Sequence, residues 1–503
     1  MSNLTRLVNT LTAVNPITDM GVLIVSAYEQ SGLDTYISTD CTYTIIGTSS
    51  YIYSGDAKIL IPGQYTLSFT AKGGLATPNN STVTVLPDTS VVCSAVYNYT
   101  GWVAYNGSVQ TASGSAQVTQ WPGGNKTVLY KAGVANGLTM DQGHRLIVSS
   151  GGKASATTVN SYGYLDVSSG GLASLTTLSS GGLLTVFAGG TASSITVSSA
   201  GSAYVSSGGM ATDTTLSNGG GLYVGSDGTA TSITCKFNGL IGVLSGGTAN
   251  STTVSSGGSM DVSSGGRVRT TLLNGGGLYV SGGGMATDTT LSNGGYLHVY
   301  SGAIVNSTTT HGLCTLYVSG GATANFTTMT AGSTIVYSDA TVNSTMVMRT
   351  ARMTIRSGGT ANGTTVGGSG RITMGSGALL KRTTVTSERL ADGTIYGYLE
   401  VVSGATLNTA SVAYGKIVVA NGAYVNSVTV SSAGQLSASI SAGPVSNVVV
   451  ESGGLFEVGS HSIAYDIDVR SAGSLMVNST GSAVRVHSAA GCNITARGFI
   501  SYV

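Results

Sequence analysis

Ionic charge is scarce in this chain. Asp, Glu, Lys and Arg make up 8% of 503 residues, against about 25% in an ordinary soluble domain. The formal net charge is +1 and no Lys/Arg cluster stands out along the sequence, so there is no basic footprint for nucleic acid or for an anionic membrane. Only five residues are Glu: Glu29, Glu388, Glu400, Glu451 and Glu457. Apolar runs are short too. The longest, Met20 to Ala27, is of strand length, whereas a helix crossing a bilayer needs ~18 apolar residues, so no membrane span is expected. Met1 to Asp19 lacks a charged region followed by an apolar one, which excludes a conventional signal peptide within it.

Cysteines number five, too few for a disulfide scaffold and odd in count. Cys235 fills a slot held elsewhere by Val197, Leu216 and Val254, which reads as a small buried apolar residue. Cys314 and Cys492 read alike. Cys41 and Cys93 could pair in an oxidising compartment. No Cys/His spacing resembles a zinc site and no calcium-binding nonapeptide occurs, so no metal or cofactor is expected.

What the chain has is a repeat. A nineteen-residue period runs through Val148, Val167, Val186, Val205, Val224, Val243 and Val262, and continues in steps of eighteen or nineteen through Val280, Val299, Val318, Val336, Ile355 and Met374. A second apolar slot follows eleven residues later, as in Val186 to Val197 and Val205 to Leu216. Six residues after the main slot stands a smaller side chain: Ala154, Ala173, Ala192, Ala211, Ala230, Ala249, Val268. Gly or Ala-Gly pairs punctuate both arms, and glycine permits the positive φ of a tight corner. Between corners the period is two, as in Leu222-Tyr223-Val224, the pattern of a short strand with one buried face.

So short a unit cannot close a core alone and must stack on its neighbours. The predicted fold class is all-β, a β-solenoid (parallel β-helix) of roughly eighteen coils. At ~4.8 Å per strand these would rise roughly 85 Å. Residues 1–127, with strand-like runs and both tryptophans (Trp102, Trp121), form a β-rich cap or attachment domain that would cover exposed strand edges. Residues 128–486 form the solenoid and 487–503 a C-terminal cap. Residues 386–400, with Glu388, Arg389 and Asp392, break the register as a projecting loop.

Catalysis finds little footing. Asp166 and Asp261 share an outward slot but are 95 residues apart, about 24 Å at the strand spacing, beyond the reach of a catalytic carboxylate pair. Glu451, Glu457, Asp466 and Asp468, near His461, are the densest acidic group and read as solvated charges. Ser, His and Asp form no recognisable nucleophile motif, so no catalytic residue is expected.

Two outward rows remain. Tyr204 and Tyr223, then Tyr279, His298 and Tyr317, occupy the position just before the main slot in successive units. Stacked rings there either reinforce the sheet or present a face for sugar rings or a protein surface. The row Thr177, Thr196, Thr215, Thr234, Thr253, Thr271, Thr290, Thr309 and Thr328 precedes the second slot and reads as structural.

Runs such as Val167-Ser168-Ser169-Gly170-Gly171 and Val262-Ser263-Ser264-Gly265-Gly266 resemble the repeats of AIDA-type autotransporter passengers, which are bacterial surface adhesins. The resemblance covers roughly residues 129–486. It implies a non-enzymatic cell-surface or secreted protein mediating adhesion, self-association or biofilm formation. Host or bacterial surface glycans or proteins would be its partners. It also implies O-glycosylation by a dedicated glycosyltransferase, with Ser168, Ser169, Ser263 and Ser264 as acceptors. The family's translocator barrel and export signal are not read in this sequence. A phage-like tail fibre or spike is therefore the alternative, with a carbohydrate-active β-helix enzyme third.

Overall fold

The computed structural model describes residues 134–503 apart from 142, 150, 207, 226, 391 and 392, and, earlier, the strands between residues 21 and 129 with short adjoining segments. The expectations for Met1 to Asp19, Cys41, Trp102, Trp121 and Asp392, and for the side chains of Glu29, Glu388 and Arg389, lie outside the described residues. Every regular element described is a strand. The chain divides into two compact units, residues 1–157 with 163–173, and residues 158–162 with 174–503.

In the first unit, Gly21–Gln30 pairs in parallel with Ser90–Tyr99 and antiparallel with Ala57–Leu60 and Tyr36–Ser38. A second, antiparallel sheet orders Ile52–Tyr53, Thr42–Ile45, Gly63–Phe69 and Ser81–Val85, burying Ile45, Leu67, Phe69 and Val85. Further along, Lys126–Leu129, Arg145–Val148 and Tyr164–Val167 pair in parallel.

The second unit is a parallel β-solenoid. Four-residue strands from Leu183–Val186 to Asn493–Ala496 form one ladder, and longer strands, such as Thr191–Val197 and Met285–Ser292, form the other up to Phe499–Tyr502. The repeat period sets the register: Val205 stands beside Val224, then Val243, then Val262. One turn shows the cross-section. Gly221–Val224 sends Leu222 and Val224 inward, and Thr229–Cys235 sends Ala230, Ile233 and Cys235. All five are at most 1% exposed. Burying a side chain such as Leu or Val stabilises by about 1.5–3 kcal/mol, and no single turn can achieve that burial without neighbours above and below.

Three kinds of corner close each turn. Ser217–Gly220 has positive φ at both Asn218 and Gly219, the geometry of a type I′ turn, with the Gly220 amide donating to the Ser217 carbonyl at 2.9 Å. Gly220 then passes so close to the previous turn that a Cβ there would overlap the Val197 carbonyl. At Ser263–Gly266 only Gly265 has positive φ, as in a type II turn. Such corners stack through their backbones, Gly265 donating to Gly283, Gly283 to Gly302 and Gly302 to Gly321, each at 3.0 Å.

The third corner carries no glycine signature. In the middle of each long strand one residue is left-handed, with φ between 52° and 58° at Asp213, Ser232, Ser251, Asp288 and Ser307. Short polar side chains tolerate this conformation best among L-residues. The bend turns two outward residues in succession, so the residue after it faces inward again.

Two expectations are corrected. Residues 387–396 form an antiparallel hairpin, Ser387–Leu390 with Gly393–Tyr396, rather than a loop, and the ladder resumes beyond it with Arg371 beside Tyr398. Thr271 does not continue the outward threonine row. It pairs with Thr252 in the interior while Leu272 takes the outward place beside Thr253, because the bend at Thr270 fixes the facing and the second apolar slot is Leu273.

Candidate functional site

The outward aromatic residues do meet. Tyr204 and Tyr223 stack with centroids 5.0 Å apart and planes at 19°. The next turn places Gly242 beside Tyr223, and a Cβ on Gly242 would press the Tyr223 ring at 2.9 Å. Glycine there gives the ring room to lie along the sheet. Asp261 follows Gly242 and ends this group.

The second group is larger than the sequence pattern indicated. His298 stacks on Tyr279 at 5.3 Å and on Tyr317 at 4.2 Å, with interplanar angles of 23° and 18°. Tyr296 meets Tyr279 and His298 edge to face, each at 5.7 Å, and Tyr300 lies 6.1 Å from His298. Tyr296 and Tyr300 lie outside the one slot per repeat that the nineteen-residue period picks out. Their signal was the period of two around His298, which puts all three side chains on one side of the strand. The Tyr296 ring covers Gly277, where any Cβ would collide with it.

No Asp, Glu, Lys or Arg is among the five rings of this cluster. The Tyr279 and Tyr296 hydroxyls are 3.0 Å apart, and that hydrogen bond, with burial second, pushes the Tyr279 phenol up to about 12. Burial holds the His298 imidazole below its ordinary value. Neutral rings edged with hydroxyl donors and acceptors suit ligands that are apolar on one face and polar at the rim.

At the corners, Ser169 and Ser264 are exposed while Ser168 and Ser263 are half-buried. The outward threonines Thr177, Thr196, Thr215, Thr234 and Thr253 stand in register. An inward threonine row was not read at all. Thr252, Thr271, Thr289, Thr308 and Thr327 are register neighbours and buried. Also unread was an asparagine ladder. The amide of Asn325 donates to Asn306 at 2.8 Å, Asn343 to Asn325 at 2.9 Å, and Asn362 to Asn343 at 3.5 Å.

Each member of the acidic group Glu451, Glu457, Asp466 and Asp468 has its own hydrogen-bond partner, an arginine for three of them. Arg470 bridges Glu451 at 2.9 Å and Asp468 at 3.2 Å. Arg485 pairs with Asp466 at 2.5 Å and holds that carboxyl below its ordinary value. Glu457 accepts from Asn478 and Ser437. Asp166 keeps its outward slot between the core residues Leu165 and Val167, but it is only 7% exposed and Arg145 donates to it at 2.6 Å. Cys235 and Cys314 are buried, but Cys492 is only half-buried. Burial pushes the Cys235 thiol up to about 11, which keeps it unreactive. Among the described residues no group of three or more His, Cys, Asp or Glu could hold a metal ion, and no helix is long and apolar enough to cross a membrane.

A stacked solenoid with an aromatic row on one face and hydroxyl-lined corners defines an elongating repeat scaffold. Comparison with known proteins says which one. The family of adhesins of the bacterial autotransporter system, in the part described as their probable stalk, matches residues 130–182 and 167–220. The solved TibC-catalyzed hyper-glycosylated TibA fragment is 33% identical, over 57% of this chain and 98% of that one, with a TM-score of 0.48. On that identity, the chain belongs to the AIDA-type autotransporter adhesins, as an adhesin-like passenger of the cell surface or extracellular space. No curated protein matches it. Two further solved structures, the Agl-KA catalytic domain (11% identity, TM-score 0.13, 77% of this chain and 61% of that one) and Dex49A from Penicillium minioluteum (11%, 0.11, 95% and 77%), carry no argument.

Proposed function

We propose that the passenger adheres through the aromatic cluster of Tyr279, His298 and Tyr317, with Tyr204 and Tyr223 as a second, smaller patch. The ligands would be glycans or proteins of a host or bacterial surface. The observation that carries this reading is the stack of Tyr279, His298 and Tyr317 on three successive strands, which aligns ring edges and hydroxyls in a row that a sugar or a protein surface could meet. Self-association and biofilm formation would use the same face. Residues 1–127 would serve as a cap or attachment domain.

In the same reading, a glycosyltransferase partner modifies the corner serines, as the TibA fragment is glycosylated with TibC. The exposure of Ser169 and Ser264, against the half-burial of Ser168 and Ser263, favours the first two as acceptors. The test of adhesion displays the full chain on cells and replaces Tyr279 and Tyr317 by Ala. Cell attachment should fall about thirtyfold, the scale of losing two aromatic anchors at ~1 kcal/mol each. Unchanged attachment with an intact circular-dichroism spectrum would assign the rings to sheet reinforcement alone.

A further inference from the structure

Residues 341–386 contain Arg349, Arg352, Arg356, Arg371, Lys381 and Arg382 and no Asp or Glu. Along the sequence these cations look scattered, which is why no basic cluster stood out. Stacking sets two of them side by side, with two more along the same turn. Arg352 and Arg371 are register partners on adjacent strands, Arg349 sits in the turn before Arg352, and Arg356 follows the same strand. All four are exposed. Lys381 and Arg382 stand on the other ladder.

Like charges directly opposite each other in a sheet repel, and Arg352 and Arg371 are separated by one strand spacing, ~4.8 Å. Only part of this charge is answered. Arg371 reaches Glu400 through a single 3.3 Å contact and lies over the Tyr398 ring at 4.9 Å. Arg356 lies over Tyr337 at 4.6 Å. Arg349 and Arg352 have no carboxylate partner among the described residues. Arg352, Arg371, Tyr398, Thr350 and Ser369 together line a shallow pocket of about 500 Å³, within the ~300–1,000 Å³ usual for small-ligand sites.

We propose that this pocket binds an anionic polysaccharide, seating a carboxylate or sulfate group between the guanidiniums of Arg352 and Arg371. A planar guanidinium grips an oxyanion with paired hydrogen bonds, and an anion between the two relieves their repulsion. The Tyr398 ring and the Thr350 and Ser369 hydroxyls supply the apolar and hydrogen-bonding contacts of an adjoining sugar ring, which favours a polysaccharide over an acidic peptide or a nucleic acid. This site is distinct from the aromatic cluster around His298 and does not depend on adhesion through it.

The full chain should be tested for binding to heparin, to polygalacturonate, to neutral dextran and to single-stranded DNA. Binding is expected to one or both acidic polysaccharides and to weaken with added salt. Heparin alone would identify sulfate as the ligand group, polygalacturonate alone carboxylate. The double variant Arg352→Gln with Arg371→Gln should lose at least tenfold in affinity. The control Lys381→Gln with Arg382→Gln removes the same charge from the other ladder and should lose less than threefold. Equal losses in the two charge variants, equal binding to DNA, or no binding to either acidic polysaccharide would overturn the proposal.

Discussion

At the scale of single residues, His298 shows how position sets chemistry. Its ring is sandwiched between Tyr279 and Tyr317, with Tyr296 and Tyr300 around it and Asp261 beyond Tyr279 on the same face. Two influences oppose: aromatic faces favour an imidazolium, and burial disfavours it. Burial prevails, holding the group below its ordinary 6.5. The unfolded chain then takes up this proton more readily than the folded one. The stability tied to neutral His298 is complete above pH 6.5 and is lost as pH falls through the folded value. The fall in thermal midpoint between pH 7.5 and pH 5 should therefore be smaller in His298→Gln than in the wild type, and the ring's NMR titration should centre below 6.5. An identical fall in both proteins would show that the stack does not discriminate against the charged ring.

At the scale of the element, the long strands expose the limits of reading sequence. Glycine corners were legible because few other residues fit them: Gly220 would overlap Val197 if it bore any side chain. The bends at Asp213, Ser232 and Ser251 were not legible, since Ser and Asp are equally at home on an outward strand position. Missing the bend hid the inward threonines and shifted Thr271 to the wrong face. The same row carries a prediction. Thr308 is 0% exposed and its hydroxyl meets no partner. A buried hydroxyl without a hydrogen bond costs about 1–3 kcal/mol, while the branched shape suits a strand. Thr308→Val keeps the shape and should raise stability by about 1 kcal/mol, read as a higher denaturation midpoint. A lower midpoint would mean that the hydroxyl is satisfied in solution and that the row is held by hydrogen bonds rather than by shape.

At the scale of the whole molecule, the solenoid unit is a sum of nearest-neighbour contacts. The aromatic cluster follows from this arithmetic of stacking: the period of nineteen aligns Tyr279, His298 and Tyr317, and the period of two within one strand adds Tyr296 and Tyr300, while the cover of Gly277 by the Tyr296 ring comes only from the packing. Family membership was legible for a related reason, since identical slots repeated many times constrain a sequence more than one catalytic motif would. Stability should be equally local. Val336 is buried between Val318 and Ile355 in the adjacent strands, and an aspartate there would place an unpaired charge in the core, costing about 3–5 kcal/mol. In a stack whose turns touch only their neighbours, that damage is confined to nearby turns. Hydrogen exchange of Val336→Asp should show lost protection across the strands from Thr315–Val318 to Arg352–Ile355, with Leu455–Val458 and Ser474–Val477 protected as in the wild type. Uniform loss throughout the unit would mean that the turns unfold as one cooperative body.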